Sequence, residues 1–181
     1  MRFLVMVCGI AFVMMGAPAR ACEGTVDCAN GLVYKAFGPT GAPVLAVFLH
    51  GDVSAGGAAD YMVAHARNFA AARKRTVAVA LLRPGYYDSA GAASAGSDCG
   101  RRDCYTAENI RAVGTAIAEI KQKFGASKVI VLGHSGGAAI TGVLLANGLI
   151  NAAVLAACPC DISTWRPNWH SLSPANYITR I

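Results

Sequence analysis

The feature of the sequence that most constrains the fold is a glycine-rich turn between an apolar run and an alanine-rich segment. Residues 128–132 form the run, Gly133-His134-Ser135-Gly136-Gly137 is the turn, and residues 136–146 have the composition of a buried helix. A strand that turns sharply into a helix needs glycine where the two backbones approach, and such a turn lifts a serine hydroxyl clear of the sheet. The pattern G-x-S-x-G in this setting predicts that Ser135 is a nucleophile.

Other kinds of glycine-rich turn fit these residues less well. The spacing Gly133-x-x-Gly136-Gly137 does not match the G-x-G-x-x-G pattern of dinucleotide sites, and no acidic residue closes a following strand at the required distance. No lysine follows to complete a phosphate-binding loop. The remaining alternative is a turn with a purely structural role, and only the structural context of the motif can separate the two.

The rest of the chain alternates short apolar runs with helical patterns, which predicts an α/β domain. Strands are expected at residues 32–37, 43–49, 76–82, 128–132 and 152–157, and helices at 58–72, 106–124 and 136–146. Thr106 is predicted to cap the second helix and Gly125 to end it. The strand at 152–157 falls at an edge of the sheet, although native sheets normally cover apolar edges.

The first 21 residues are predicted to be a secretory signal peptide. Arg2 gives a positive start, and small residues at Ala19 and Ala21 fit cleavage after Ala21. The apolar run between them, about 15 residues, is short of the roughly 20 that a transmembrane anchor needs. A lipid-modified Cys22 is a further alternative, but the usual leucine three residues earlier is absent. We therefore expect a secreted or periplasmic domain of residues 22–181 with no stable membrane insertion.

Composition and charge limit the classes of partner. Hydrophobic residues make up 55% and charged residues 14% of the chain, which argues against disorder. The net charge is +6, but the basic residues outside the leader lie in short, separate groups without interleaved aromatic residues. A nucleic-acid-binding surface needs a continuous basic stripe. We therefore expect no nucleic-acid partner.

Seven cysteines are present, and six of them lie outside the predicted leader. Their proximity along the chain favours three local disulfides, as is typical of exported proteins: Cys22–Cys28, Cys99–Cys104 and Cys158–Cys160. The last pair is the least secure, because a bridge across one residue is strained. Zinc binding is the alternative, but no Cys-x-x-Cys or histidine cluster supports it. No metal or cofactor is expected.

Two further motifs precede the serine turn, each at the end of a predicted strand. They are Phe48-Leu49-His50-Gly51-Asp52 and Arg83-Pro84-Gly85-Tyr86-Tyr87-Asp88-Ser89. In this order the three motifs resemble those of the α/β-hydrolase superfamily, in which Tyr87 would be glycine. The resemblance covers about residues 32–161 and is closest to prolyl-oligopeptidase-like and dienelactone-hydrolase-like esterases.

The resemblance implies an α/β-hydrolase fold, a mostly parallel sheet with helices on both faces, and cleavage of an ester or small peptide through an acyl-enzyme on Ser135. It assigns the two backbone N–H groups that stabilise the acyl oxyanion to Gly136 and Asp52. Substrate contacts are expected from His50, Gly51, Tyr86, Tyr87 and His134. An acyltransferase that passes the acyl group to an alcohol is the alternative use of the same site.

The acid and the base that the serine needs are less clear from the sequence. The superfamily order is serine, acid, histidine, and after Ser135 the only acid is Asp161 and the only histidine is His170. They form a candidate compact triad, although no later strand holds His170 against the turn. The other expectation is a polypeptide that stops before the strands carrying the acid, the histidine and the cover of the edge strand. That outcome would leave an inactive, truncated hydrolase fold, incomplete at its C-terminal side.

Overall fold

Short runs of small and β-branched residues form the strands of a single sheet. A computed structural model describes Cys22 and residues 26–102 and 104–161. The predicted signal peptide, the boundary after Ala21 and the candidate base His170 lie outside the described residues.

Six strands and three helices are present in the described part of the chain. In sequence order they are β1 (Cys28–Ala29), β2 (Leu32–Phe37), β3 (Val44–Leu49), α1 (Met62–Ala72), β4 (Thr76–Leu81), α2 (Ala107–Phe124), β5 (Lys128–His134), α3 (Gly136–Ala146) and β6 (Ala152–Ala156). The order across the sheet is β1-β2-β4-β3-β5-β6. The pairs formed by β3, β4, β5 and β6 are parallel, and the pairs that involve β2 are antiparallel. The predicted mostly parallel sheet is confirmed.

The register of the central strands brings their carboxyl ends to the same level. Leu49 at the end of β3 pairs with Leu81 of β4 and with Gly133 of β5. Ligand sites of open parallel sheets lie at this edge, where the turns that follow the strands meet. The three sequence motifs are therefore neighbours in space, although they are far apart along the chain.

Helices cover both faces of the sheet. Leu45, Val47 and Leu49 of β3 belong to the larger core, which includes residues of α2 and α3. Ala46 and Phe48, which alternate with them, pack on the other face against α1. This is the period-two pattern of a strand buried on both sides.

The caps of α2 confirm the predicted ends of that helix. The Thr106 hydroxyl accepts a hydrogen bond of 3.2 Å from the Asn109 N–H. Gly125 ends the helix with φ 69°, in the left-handed region that glycine adopts readily.

Several boundaries differ from the sequence prediction. Three differ by a single residue, since β3 begins at Val44, β4 ends at Leu81 and β6 ends at Ala156. α1 begins at Met62 rather than near residue 58, because the residues before it pack on the turn after β4. There the Asp60 carboxylate accepts hydrogen bonds from the N–H and the hydroxyl of Ser89, at 3.0 and 2.6 Å. β5 continues to His134 because β6 pairs with it as far as Ala156. β1, with two residues, is too short to leave a periodic pattern.

The three predicted disulfides are present, Cys22–Cys28, Cys99–Cys104 and Cys158–Cys160. The bridge between Cys158 and Cys160 forms despite its short span. In the described ranges, none of the helices combines the length and the apolar character that a membrane span requires.

The strand β6 lies at the edge of the sheet, as predicted. Four of its five residues are exposed. Among them, Val154 and Leu155 keep 51% and 39% of their surface exposed.

Candidate active site

Ser135 lies in a sharp turn between β5 and α3. Its backbone has φ 51° and ψ −121°, a conformation that L residues rarely adopt. The Ser135 N–H donates to the carbonyl oxygen of Ala156 at 2.8 Å, and the Ala138 N–H donates to the Ser135 carbonyl oxygen at 2.8 Å. Such a strained turn between a strand and a helix exposes the side chain of its central residue.

Two glycines of this turn are required by close approaches of backbone. A Cβ atom on Gly137 would collide with the carbonyl oxygens of Leu49 and His50, at the end of β3. A Cβ atom on Gly133 would lie 2.5 Å from the carbonyl oxygen of Gly137 and 2.6 Å from Cα of Ala138, both in α3. The start of α3 therefore packs directly on the ends of β3 and β5, which is the reason for glycine that the sequence pattern predicts.

Because Gly51 has no side chain, the turn after β3 can approach Ser135 closely. A Cβ atom on Gly51 would lie 2.8 Å from Cβ of Ser135. The Gly51 N–H donates to the Tyr61 hydroxyl at 2.6 Å, so it is already engaged. Gly136 is the first residue of α3, and its N–H precedes the first intrahelical hydrogen bonds. The assignment of oxyanion binding to the N–H groups of Asp52 and Gly136 stays a prediction.

A buried polar cluster lies behind the turn after β3, and we call Asp52, Arg83, Tyr86 and Tyr105 the Asp52 cluster. Nη1 of Arg83 is 2.8 Å from Oδ1 of Asp52, and the arginine side chain is 1% exposed. Tyr86 donates to the same Oδ1 at 3.4 Å, and the Tyr105 hydroxyl donates to Oδ2. Burial disfavours the guanidinium cation, but the electrostatic effects of Asp52, Tyr86 and Tyr105 together outweigh it and raise the pKa of Arg83. The arginine therefore stays charged.

His50 is buried and neutral, and both of its ring nitrogens are engaged. Nε2 accepts the N–H of Arg83 at 2.9 Å, which places the ring proton on Nδ1, where it is donated to the Gly51 carbonyl oxygen at 2.7 Å. Burial and then the positive charge of Arg83 lower the pKa of His50 to about 3. The ring therefore ties the turns after β3 and β4 together and is not available as a general base.

Burial changes the interpretation of two expected substrate contacts. His50 and Tyr86 are 1% and 0% exposed, so they support the turns from inside rather than contact a substrate. Tyr87 differs, because it is exposed on the next turn with the Arg101 guanidinium 4.9 Å from its ring centroid. A substrate contact by Tyr87 stays a prediction.

Tyr61 links His134 to the turn after β3. Its hydroxyl lies 2.8 Å from Nδ1 of His134 and also accepts the Gly51 N–H. One hydroxyl thus bridges the serine turn and the predicted oxyanion turn. The sequence gives no signal for Tyr61, since it belongs to none of the three motifs and precedes α1.

The candidate acid and base are not brought together by the described residues. Asp161 follows β6, and His170 lies outside the described part of the chain. Beside His134 the structure instead has an apolar groove of about 260 Å³. Its lining includes Phe48, Met62, Leu132 and Val154. The compact triad of Ser135, Asp161 and His170 stays a prediction.

Comparison with known proteins gives one family match. Residues 46–180, about three quarters of the chain, match the model of the alpha/beta hydrolase family. No curated protein sequence matches the chain.

Solved structures share the fold at low identity. A putative alpha/beta hydrolase from Agrobacterium tumefaciens is 19% identical with a TM-score of 0.52, over 84% of this chain and 66% of that one. A serine hydrolase without a lid from Xanthomonas campestris is 18% identical with a TM-score of 0.52, over 89% and 70%. An esterase from Pyrococcus furiosus is 15% identical with a TM-score of 0.54, over 82% and 55%. The chain thus spans 55–70% of the length of these three structures.

Proposed function

Because the chain belongs to the alpha/beta hydrolase family, we propose that it is a serine hydrolase that cleaves an ester or small peptide through Ser135. The observation that carries the proposal is the strained backbone of Ser135, with φ 51°. Strain of this kind persists only where the surroundings over-determine it, and it concentrates at functional sites. Here the surroundings are the backbone contacts of Gly133 and Gly137.

In the proposed reaction Oγ of Ser135 attacks the carbonyl carbon of the substrate. A C–O bond forms, and the carbonyl electron pair moves to the oxygen, which accepts hydrogen bonds from the N–H groups of Gly136 and Asp52. Each such donor stabilises the transition state by about 3–4 kcal/mol. A base takes the serine proton and passes it to the leaving group, which departs with the electrons of the cleaved bond. Water then releases the acyl group by the same steps.

The start of α3 supports the proposed oxyanion site. Helix N-termini carry a partial positive charge and N–H groups without intrahelical partners, and both favour an anion. Gly136 and Gly137 are the first two residues of α3 and are buried. A negative charge next to Ser135 would therefore meet donors that are already oriented.

The base is the least supported part of the proposal. Asp161 and His170 follow the superfamily order of acid and histidine. An acid and a histidine from a segment beyond this sequence are the alternative, which fits the partial coverage of the matched structures. The compact triad predicts turnover by this chain that His170→Ala abolishes, whereas the alternative predicts no turnover by this chain above that of Ser135→Ala.

We also propose that residues 22–181 form the exported domain. Three disulfides support this proposal, since disulfides persist in oxidising compartments. N-terminal sequencing of the secreted protein tests it, and a mature chain that still begins at Met1 would contradict it.

A fluorophosphonate probe tests the nucleophile, because covalent labelling requires an activated serine. We expect the full chain to be labelled and Ser135→Ala to be unlabelled. The matched control is Ser127→Ala, whose hydroxyl donates to the Pro43 carbonyl oxygen at 3.1 Å at the other end of β5 and should leave labelling unchanged. An unlabelled wild type would contradict the compact triad and would mean that residues 1–181 alone form an inactive hydrolase fold.

Hydrolysis of p-nitrophenyl esters then identifies the base. If His170→Ala abolishes turnover that depends on Ser135, the compact triad is supported. If turnover persists in His170→Ala, the base lies elsewhere and the compact triad is wrong.

A further inference from the structure

Tyr105 is buried beside the proposed site and belongs to none of the three motifs. It lies between Cys104 and Thr106, the residue that caps α2, and it is 2% exposed. Its hydroxyl donates a hydrogen bond to Oδ2 of Asp52. The same hydroxyl lies 2.6 Å from the position that a Cβ atom on Gly136 would take. One side chain therefore touches both residues whose N–H groups are the proposed oxyanion donors.

The contact explains why the residue after the serine is glycine. Any side chain at position 136 would displace the Tyr105 hydroxyl or the Asp52 carboxylate, whose Oδ1 is 2.9 Å from the same Cβ position. The flanking glycines of the turn are required by backbone contacts, whereas Gly136 is required by these two side chains. The lack of a side chain at position 136 therefore leaves the space that the Asp52 cluster occupies.

A carboxylate at this place creates an electrostatic problem for the proposed reaction. A negative charge next to Gly136 opposes the negative charge that develops on the substrate oxygen, and the repulsion is stronger in a site with little water. Arg83 compensates Oδ1 of Asp52 from 2.8 Å, and Tyr105 donates to Oδ2. With both oxygens engaged by donors, the carboxylate has a fixed direction and a compensated charge.

We propose that Tyr105 is a positioning residue, which holds Asp52 so that its backbone N–H keeps a fixed distance from the N–H of Gly136. This inference rests on the proposed function, since it concerns the same oxyanion site. Without Tyr105, Arg83 would bind only Oδ1 of Asp52, and the carboxylate could rotate about that contact. Tyr105 binds the second oxygen and packs on Gly136, so it relates the turn after β3 to the start of α3. Oxyanion donors are effective only when they are preorganised in this way.

Tyr105 is itself held rigidly from both sides. Cys104, which precedes it, forms the disulfide with Cys99. The Asn109 side-chain amide donates to the carbonyl oxygens of Cys104 and Ser97, at 3.2 and 2.9 Å. Because the disulfide and the capped start of α2 flank Tyr105, its hydroxyl has little conformational freedom, as a positioning group requires.

The substitution Tyr105→Phe removes the hydroxyl and keeps the ring. The matched control is Tyr34→Phe, because Tyr34 is also buried and its hydroxyl also has a charged partner, Lys123 at 2.6 Å, away from the site. Thermal unfolding verifies that both variants fold. Two readouts then separate positioning from a structural role.

The first readout is the reaction with a fluorophosphonate, divided into the affinity of the probe and the maximal rate of inactivation. Loss of a direct oxyanion donor costs about 10²–10³ in rate, and displacement of a donor costs less. We expect Tyr105→Phe to lower the maximal rate about tenfold with unchanged affinity, and Tyr34→Phe to leave both values as in the wild type. A wild-type maximal rate in Tyr105→Phe would overturn the inference.

The second readout is the NMR order parameter of the Asp52 backbone amide, which does not depend on activity. We expect this order parameter to fall in Tyr105→Phe and to be unchanged in Tyr34→Phe. If the wild type does not react with the probe, the proposed function fails and the order parameter alone decides the positioning role. An unchanged order parameter at Asp52 in a folded Tyr105→Phe variant would overturn the inference in either case.

Discussion

The carboxyl end of β5 and the neighbouring strand β6 are adjacent in the sheet but built very differently. The end of β5 is fixed by contacts with β3 and α3 and by the Asp52 cluster nearby. Four of the five residues of β6 are exposed, whereas five of the six residues of β3 are buried. The nucleophile therefore depends mainly on the centre of the sheet, and its backbone N–H is bonded to the edge strand at the carbonyl oxygen of Ala156.

The comparison separates the residues that orient Ser135 from the residues of the exposed edge strand. Residues that orient Ser135 are determined by close backbone contacts, which tolerate little change. Residues on β6 face solvent in the described part of the chain, so their identity affects stability little. Substitutions in the two regions should therefore differ strongly in effect, and this difference can be measured.

The largest effect is expected from Gly137→Ala. The added methyl group would meet the carbonyl oxygens of Leu49 and His50, and these cannot move without disrupting β3. Overpacking typically costs about 1–3 kcal/mol, and backbone neighbours place this case at about 3 kcal/mol or more. Chemical denaturation of the variant measures the loss in the free energy of unfolding.

Gly114→Ala in α2 is the matched control for that substitution. Its Cβ would meet only the side-chain ends of Leu144 and Leu149, at 3.2 and 3.4 Å. Leu149 is exposed and can move, whereas Leu144 is fully buried and must shift by a few tenths of an ångström. Alanine favours the helix over glycine by about 1 kcal/mol, which offsets that shift. We expect little change or a small gain in stability. Equal losses in the two variants would break the comparison.

The second effect is a dependence of stability on pH that originates at His50. Burial and then the charge of Arg83 lower its pKa from the ordinary 6.5 to about 3 in the folded protein. The unfolded chain therefore binds the proton first, so the free energy of unfolding falls as the pH decreases below 6.5. At pH 5 the expected loss is about 2 kcal/mol relative to neutral pH, measured by denaturation at both values.

His50→Asn, which removes the titrating group, should be less stable at neutral pH but should lose less stability between pH 7 and pH 5. His65→Asn, on the exposed surface of α1, should keep the wild-type dependence. The same slope in wild type and His50→Asn would show that His50 is not the group responsible.

The smallest effect is expected from Val154→Thr on β6. The two side chains have the same shape, and Val154 is half exposed, so the hydroxyl remains hydrated. We expect a change within about 0.5 kcal/mol. Val131→Thr in β5 is the matched control, because Val131 is fully buried and the new hydroxyl would lose water, at about 1–3 kcal/mol. A loss at Val154 as large as that at Val131 would show that the edge is covered in solution.

The predictions from sequence succeed where local pattern decides the structure. The strand β2 and the helix α3 have the predicted bounds, and Thr106 caps α2 as expected. The start of α1 was predicted too early, because the alanine-rich pattern does not reveal that Asp60 binds Ser89. The antiparallel pairing of β2 also depends on contacts between distant segments.

For the candidate site, the sequence identifies residues of the backbone turns better than the side chains around them. Ser135 and the flanking glycines follow a local pattern with a physical reason. His50 and Tyr86 were expected to contact substrate, but their burial assigns them to support. Tyr61 and Tyr105 carry no motif, because their partners are determined only when the turns meet at the end of the sheet. The acid and base are predicted only by the resemblance.

The register of the central strands has a consequence for synthesis of the chain. Lys128 of β5 pairs beside Val44 of β3, a separation of 84 residues. At roughly 5–20 residues per second, about 4–17 s pass between the synthesis of the two strands. During that interval one edge of β3, a strand with five of its six residues buried in the finished sheet, has no neighbour. The centre of the sheet is therefore exposed to misassociation for longest while the polypeptide is made.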